Sequence, residues 1–213
     1  MEAEFWHERW REDKHGFDQA APNALLVAHL DALALKPGDR VFVPLCGKTV
    51  DIPWLLEQGL RVVGAELSET AVGQLFETMG VTPEIADLGN LKRYSSGGID
   101  IFAGDIFDLS AGALGDVDAV FDRAALVALP EEMRARYSAH LSEITGNAPQ
   151  LLITFDYDQS IMPGPPFSVP EAMVRRYYDA TFAITRLAGA EVAGNLKGIA
   201  PATEEIWLLA TST

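Results

Sequence analysis

The chain has 213 residues, of which 48% are apolar and 22% charged, with one cysteine and a formal net charge of −15. Its length and apolar share suit one α/β domain with a full core and exclude global disorder. So acidic a surface repels phosphate backbones and anionic lipid, which makes nucleic acid and membranes poor partners.

The N-terminal stretch MEAEFWHERWREDKHG is charged from its second residue, and no apolar run reaches membrane-spanning length. Neither a signal peptide nor an anchor is expected. Within this stretch, Trp6 and Trp10 fall on one helical face by their spacing. Gly16 breaks the segment. Pro22-Asn23 then opens a second helix, about Asn23–Leu35, in which Leu26, Leu30 and Leu33 recur at helical spacing. After the turn Pro37-Gly38-Asp39, a first strand is predicted at about Arg40–Pro44. A Gly-containing turn follows (Pro44–Lys48), then a helix near Val50–Gln58 that ends at Gly59. The second strand, about Arg61–Glu66, ends on an acid, and Ser68 is the N-cap of a helix near Glu69–Met79.

Pro83–Ser96 shows no clear period and is read as a loop with room for one short strand. Ile99–Ala103 is a third strand, followed by the polar turn Gly104-Asp105. Val117–Asp122 is a fourth, with Arg123 just past its end. Pro130-Glu131-Glu132 starts a helix that runs to about Thr145. Leu151–Phe155 is a fifth strand. The segment Met162–Phe167 is too rich in proline for a helix or central strand. Ser168 to Glu171 resembles a capping box for a helix over Glu171–Asp179. The runs Ala183–Leu187 and Ile206–Thr211 are joined by a Gly-rich loop too short for a crossover helix, so they pair antiparallel. The expected fold is a single Rossmann-like, doubly wound α/β domain over residues 1–213. It has a seven-stranded mixed sheet with a terminal antiparallel strand, and residues 1–35 form a helical cap over the active site.

Strand, Gly turn, helix, strand and terminal carboxylate make half of a nucleotide-binding fold. Glu66 lies about 20 residues after the turn, where such folds place the acid that grips a ribose diol. Asp105 and Asp122-Arg123 follow other strand ends, so they fall on the same ligand-binding edge of the sheet. The turn lacks the full G-x-G-x-x-G pattern, and Leu45 and Cys46 crowd the space that a pyrophosphate needs. An adenosine ligand without phosphate fits better, namely S-adenosylmethionine. The antiparallel final strands agree with a methyltransferase sheet. An NAD-dependent oxidoreductase and a non-catalytic adenosine-binding module share the same half-fold and are the competing classes. His7, His15, His29 and His140 have no metal-ligand spacing, so no metal site is expected. Cys46 cannot form an internal disulfide, which places the chain in a reducing cytoplasm, and it is read as a small buried thiol rather than a nucleophile.

These residues resemble the thiopurine S-methyltransferase family (bacterial type) of S-adenosylmethionine-dependent methyltransferases over nearly the whole chain. The resemblance is carried by FWHERW at Phe5–Trp10, VPLCGKTVD at Val43–Asp51, VVGAELSE at Val62–Glu69, GDIFDL at Gly104–Leu109, FDRAALVAL at Phe121–Leu129 and PGPPFSVP at Pro163–Pro170. It implies that Trp10, Leu45, Gly47, Glu66, Asp105, Ile106 and Arg123 hold the cofactor. Phe17, Arg123 and Pro166 would border a small-molecule thiol acceptor. No general base is compelled; Arg123 and Asp18 are the candidate catalytic residues. Asp18 stands where many members have His, and Gly16–Gln19 is similar to the thiol and halide methyltransferases. Ala188–Lys197 carries Lys197 but no Arg. Acceptors of selenium, tellurium or halide type are thus the alternative to an aromatic or heterocyclic thiol. The resemblance also implies a monomer.

Overall fold

The computed structural model describes residues 3–12 and 19–211. The helices are α1 (Ala3–Arg11), α2 (Ala24–His29), α3 (Asp51–Glu57), α4 (Glu69–Thr78), α5 (Ala111–Leu114), α6 (Glu131–Ile144) and α7 (Glu171–Tyr178). The strands are β1 (Arg40–Pro44), β2 (Arg61–Glu66), β3 (Glu84–Asp87), β4 (Lys92–Ser96), β5 (Ile99–Ala103), β6 (Ala119–Arg123), β7 (Gln150–Tyr157), β8 (Phe182–Glu191) and β9 (Ala202–Thr211). They form one sheet in the order β3-β4-β5-β2-β1-β6-β7-β9-β8.

Strands β5, β2, β1, β6 and β7 run parallel. Each is covered on both faces, so they read as continuous apolar runs. Alternation sorts their side chains. Phe42 and Val63 point into the core under α6 and α7, while Val41, Val43 and Val62 pack against α2, α3 and α4. Strand β9 runs antiparallel to both β7 and β8, and a bulge interrupts the β8–β9 ladder between Arg186 and Ala188. Trp207 of β9 is fully buried and donates its indole N–H to Thr154 Oγ1 on β7 at 3.0 Å.

Two sequence expectations need correction. The sheet has nine strands among the described residues, not seven, because Pro83–Ser96 holds an antiparallel hairpin of β3 and β4 that extends the β5 edge. Its pattern is weak because little of the hairpin is buried: in β4 only Tyr94 is buried, and Ile85, opposite it in β3, is exposed. Ser168 does not cap α7, whose N-cap is Pro170 with no side-chain cap bond. The Ser168 hydroxyl instead accepts the Tyr157 N–H at 3.0 Å and braces the loop at the end of β7. Other ends fall as expected. Asn23 Oδ1 accepts the N–H groups of Leu25 and Leu26, and Ser68 Oγ accepts that of Ala71. The second helix is shorter than expected, passing into a 3-10 turn over Leu30–Leu33 that ends at Ala34 in the left-handed region.

Candidate functional site

The C-terminal ends of β1, β2, β5 and β6 open onto a cleft of about 150 Å³. Its floor begins with the turn after β1. Leu45 has φ of 46° and Gly47 φ of 54°, so two of these three residues hold the left-handed conformation. Gly47 is needed for a second reason: a Cβ there would sit 3.1 Å from the Trp10 indole, which packs on the turn from α1. Lys48 Nζ stands 5.9 Å from the centre of the same indole. Both Trp6 and Trp10 line the cleft.

Glu66 closes the turn from the end of β2. It is 5% exposed. Its Oε2 accepts the Gly47 N–H and its Oε1 the Ser68 N–H, both at 2.8 Å. Burial pushes its carboxyl above the usual range, against the pull of those N–H groups. Each oxygen keeps a lone pair for a ligand hydroxyl. Cys46 is buried beside it; burial, and then the Glu66 charge, push the thiol well up, so it stays protonated and is no nucleophile. Gly64, opposite, makes the close packing possible, since a Cβ there would meet Ile101 Cδ1 at 2.6 Å and Cys46 Sγ at 2.9 Å.

Asp105 is exposed at the end of β5, and its Oδ1 accepts the Phe107 N–H at 3.0 Å, starting a 3-10 turn over Ile106–Asp108. Asp105, Ile106 and Phe107 line one side of the cleft, with Leu129 and Met133 nearby. At the end of β6, neighbouring residues part company. Arg123 lines the cleft, and Ala124 follows in the left-handed region with φ of 68°. Asp122 turns away and is fully buried, accepting the Tyr137 hydroxyl at 2.8 Å and the Leu126 N–H at 3.1 Å. Burial pushes Asp122 up to about 6. The expectation that Asp122 shares the ligand edge is thus corrected: strand alternation sends it to the opposite face. Beyond Arg123, Glu204 of β9 feels its charge, which opposes the upward push of burial on that carboxyl.

Leu45, Gly47, Glu66, Asp105, Ile106, Arg123 and Trp10 therefore meet in one cleft. Pro166 lies apart from that lining: it is buried, and its carbonyl accepts the Tyr157 hydroxyl at 2.7 Å. Beside it, Lys197 Nζ donates to the Pro165 carbonyl at 2.7 Å, joining the Pro-rich loop to the loop before β9. Phe17 and Asp18 lie outside the described residues. Sequence reasoning passed over Trp6, Phe107, Met133 and Asp51 as site residues. The Trp6–Trp10 spacing did signal a shared face, whereas Phe107 and Met133 carry no local mark. Asp51 is buried at the start of α3, where it accepts the Asn23 N–H at 2.7 Å and the Thr49 hydroxyl at 2.9 Å, tying α2 to the turn. No group of metal-ligating side chains occurs among the described residues.

The site suits a nucleoside without phosphate: the Glu66 carboxylate beside a turn closed by Leu45 and the Trp10 indole, a second buried carboxylate in Asp51 that is taken up by Asn23 and Thr49, and largely apolar walls. The order β5-β2-β1-β6-β7-β9-β8 with β9 reversed belongs to the Rossmann-like methyltransferases. Solved structures agree on the fold. An S-adenosylmethionine-dependent methyltransferase from Anabaena variabilis matches with a TM-score of 0.65 at 14% identity, covering 99% of this chain and 95% of that one. TehB from Haemophilus influenzae matches with a TM-score of 0.62 at 15% identity, covering 97% and 67%.

Sequence takes the identification further. The family model for thiopurine S-methyltransferase matches residues 1–211. A thiopurine S-methyltransferase from Xanthobacter autotrophicus is 54% identical over 210 residues, covering 98% of this chain and 99% of that protein. Another from Gluconobacter oxydans is 50% identical over 205 residues, covering 96% and 93%. The chain belongs to the thiopurine S-methyltransferase family, and its reaction is S-adenosylmethionine-dependent methyl transfer to sulfur.

Proposed function

We propose that the cleft methylates the sulfur of a small aromatic or heterocyclic thiol. The observation that carries the cofactor half of this reading is Glu66, a buried carboxylate in an otherwise largely apolar cleft, fixed by two backbone N–H groups. In this reading its free lone pairs take the ribose hydroxyls. Asp105 and Ile106 flank the adenine. The Leu45–Gly47 backbone meets the methionine part, and Trp10, on a cap formed by residues 1–35, covers it.

When bound, the cofactor supplies a methyl group on a positively charged sulfur, already activated for transfer. The side chains then have three tasks: to align the acceptor in line, to exclude water and to favour its thiolate. Arg123 provides a cation at the cleft, which lowers the cost of deprotonating an approaching thiol. Phe17 stacks on a flat acceptor. Asp18 takes the thiol proton through water. Glu66, Asp105, Ile106 and the Leu45–Gly47 turn would hold the cofactor, which would supply the methyl group to the thiolate sulfur and be left as S-adenosylhomocysteine.

Asp18 in the run Gly16–Gln19 favours a second reading, in which selenium or tellurium species or halide ions are the acceptors. We further infer a cytoplasmic monomer. The lone cysteine supports the reducing compartment, and the family resemblance supports the monomer. A mass-spectrometric screen of aromatic thiols, aliphatic thiols, selenols and halides tests the acceptor. Turnover confined to halides or selenols overturns the thiol reading. Calorimetric titration with S-adenosylmethionine and with NAD tests the cofactor half, and binding of NAD alone overturns it.

A further inference from the structure

One face of helix α6 packs beside the Ile106–Phe107 turn at the edge of the cleft. Met133, Arg136, Tyr137 and His140 are spaced i, i+3, i+4 and i+7, so they share one face. Met133 lines the cleft. The guanidinium carbon of Arg136 lies 3.7 Å from the centre of the Phe107 ring. The His140 ring lies 5.4 Å from that of Phe107, tilted by 56°. His140 Nε2 stands 2.8 Å from the Ile106 carbonyl oxygen. A carbonyl only accepts, so this nitrogen carries the proton and donates it.

The two residues gripped in this way are the cleft-lining pair after Asp105. They sit in a 3-10 turn of three residues, closed by the Asp105 side chain and by a bond from the Leu109 N–H to the same Ile106 carbonyl at 3.1 Å. So short a turn has little stability of its own. Its shape is set by what it packs against.

We propose that His140 is a positioning residue for the cofactor: with Arg136, it holds the Ile106–Phe107 turn in the shape that receives the purine. This rests on the reading that Asp105 and Ile106 form the adenine end of the cleft. A turn fixed in advance spares the ligand the cost of ordering it, whereas a turn formed part of the time weakens binding by that fraction. The effect falls on cofactor affinity more than on the chemical step, because bound cofactor restores the turn.

The test compares His140→Ala, His140→Phe and His140→Gln. The Phe variant keeps a ring against Phe107 and lacks the donor; the Gln variant keeps an N–H donor. Dissociation constants for S-adenosylhomocysteine and for adenosine are measured by calorimetry, with KM for S-adenosylmethionine and kcat on an aromatic thiol alongside. Removing the donor in either Ala or Phe weakens both ligands and raises KM by about tenfold, the scale of one lost hydrogen bond with some loosening. Meanwhile kcat stays within about twofold, and Gln recovers most of the affinity. Unchanged affinity for S-adenosylhomocysteine overturns the positioning role and leaves the adenine assignment standing. A fall in kcat with KM unchanged overturns it as well. Weaker S-adenosylhomocysteine with unchanged adenosine overturns the adenine assignment, and this inference with it. Because Phe and Gln each retain part of the contact, the comparison stands even where the Ala variant does not fold.

Discussion

Glu66→Gln tests the centre of the site while keeping its shape. The two carboxylate oxygens are divided between the Gly47 and Ser68 N–H groups, each at 2.8 Å. An amide supplies one oxygen and one NH2, so one of those backbone N–H groups then faces a second donor. A buried donor without an acceptor costs about 1–3 kcal/mol, partly offset here because the Gln variant no longer has to bury a charge. A net loss near 1 kcal/mol lowers Tm by about 2–4 °C in a domain of this size. Binding suffers separately, since the ribose hydroxyls lose a charged acceptor. That difference is about 1–2 kcal/mol, or roughly 5- to 30-fold in Kd. Calorimetric titration with S-adenosylhomocysteine reads the second effect and a thermal melt the first. A pH series adds a sign. Burial holds the Glu66 carboxyl above the usual range, and the ribose contact needs the anion. Affinity in the wild type therefore falls on acidification at a higher pH than an ordinary carboxylate would give, and the Gln variant stays flat over that window. A folded Gln variant whose affinity is within about twofold of wild type would refute the ribose contact and the cofactor pose built on it.

Three further outcomes follow from the geometry. Gly64→Ala places a Cβ 2.6 Å from Ile101 and 2.9 Å from Cys46, so urea melts should show a loss of about 1–3 kcal/mol; unchanged stability would mean that the turn is not tightly packed. Arg123→Ala should cut kcat/KM on a thiol by about 10- to 150-fold, the scale of a bond to a charged partner, and near-normal turnover would remove Arg123 from the mechanism. Asp122 is held up to about 6, so its folded form binds a proton more readily than the unfolded chain and its contribution to stability is lost as pH rises. Between pH 5 and 7 the wild type should lose on the order of 1 kcal/mol relative to Asp122→Asn, and parallel pH curves for the two would refute the burial argument.

The parts of the fold legible in the sequence are those where one stretch of chain does one physical job. Strands β1, β2, β5, β6 and β7 are covered on both faces and read as apolar runs. Hairpin β3–β4 exposes Ile85 and buries Tyr94, which leaves no period to detect. The cofactor side of the cleft was legible for the same reason: Leu45, Gly47 and Glu66 sit in one strand–helix–strand unit, where a missing glycine is as informative as a present one. Asp122 was misread because a residue-level list of strand ends ignores which way alternate side chains point. Ser168 was misread because a capping pattern in sequence competes with a tertiary partner, here the Tyr157 N–H.

The remaining walls join distant segments, and this is why they left no local mark. Phe107 lines the cleft, and Arg136 and His140, about thirty residues on, pack against its ring. The Pro-rich loop is joined to the loop before β9 through Lys197 and the Pro165 carbonyl. The difference has a functional consequence. A cofactor grip written into one βαβ unit changes only when that unit changes. Walls built from separate loops can change shape one loop at a time while the sheet stays fixed. Acceptor choice in this chain is therefore to be sought in substitutions at the separate loops that wall the cleft, and cofactor affinity in the Leu45–Glu66 unit and the Asp105–Phe107 turn beside it.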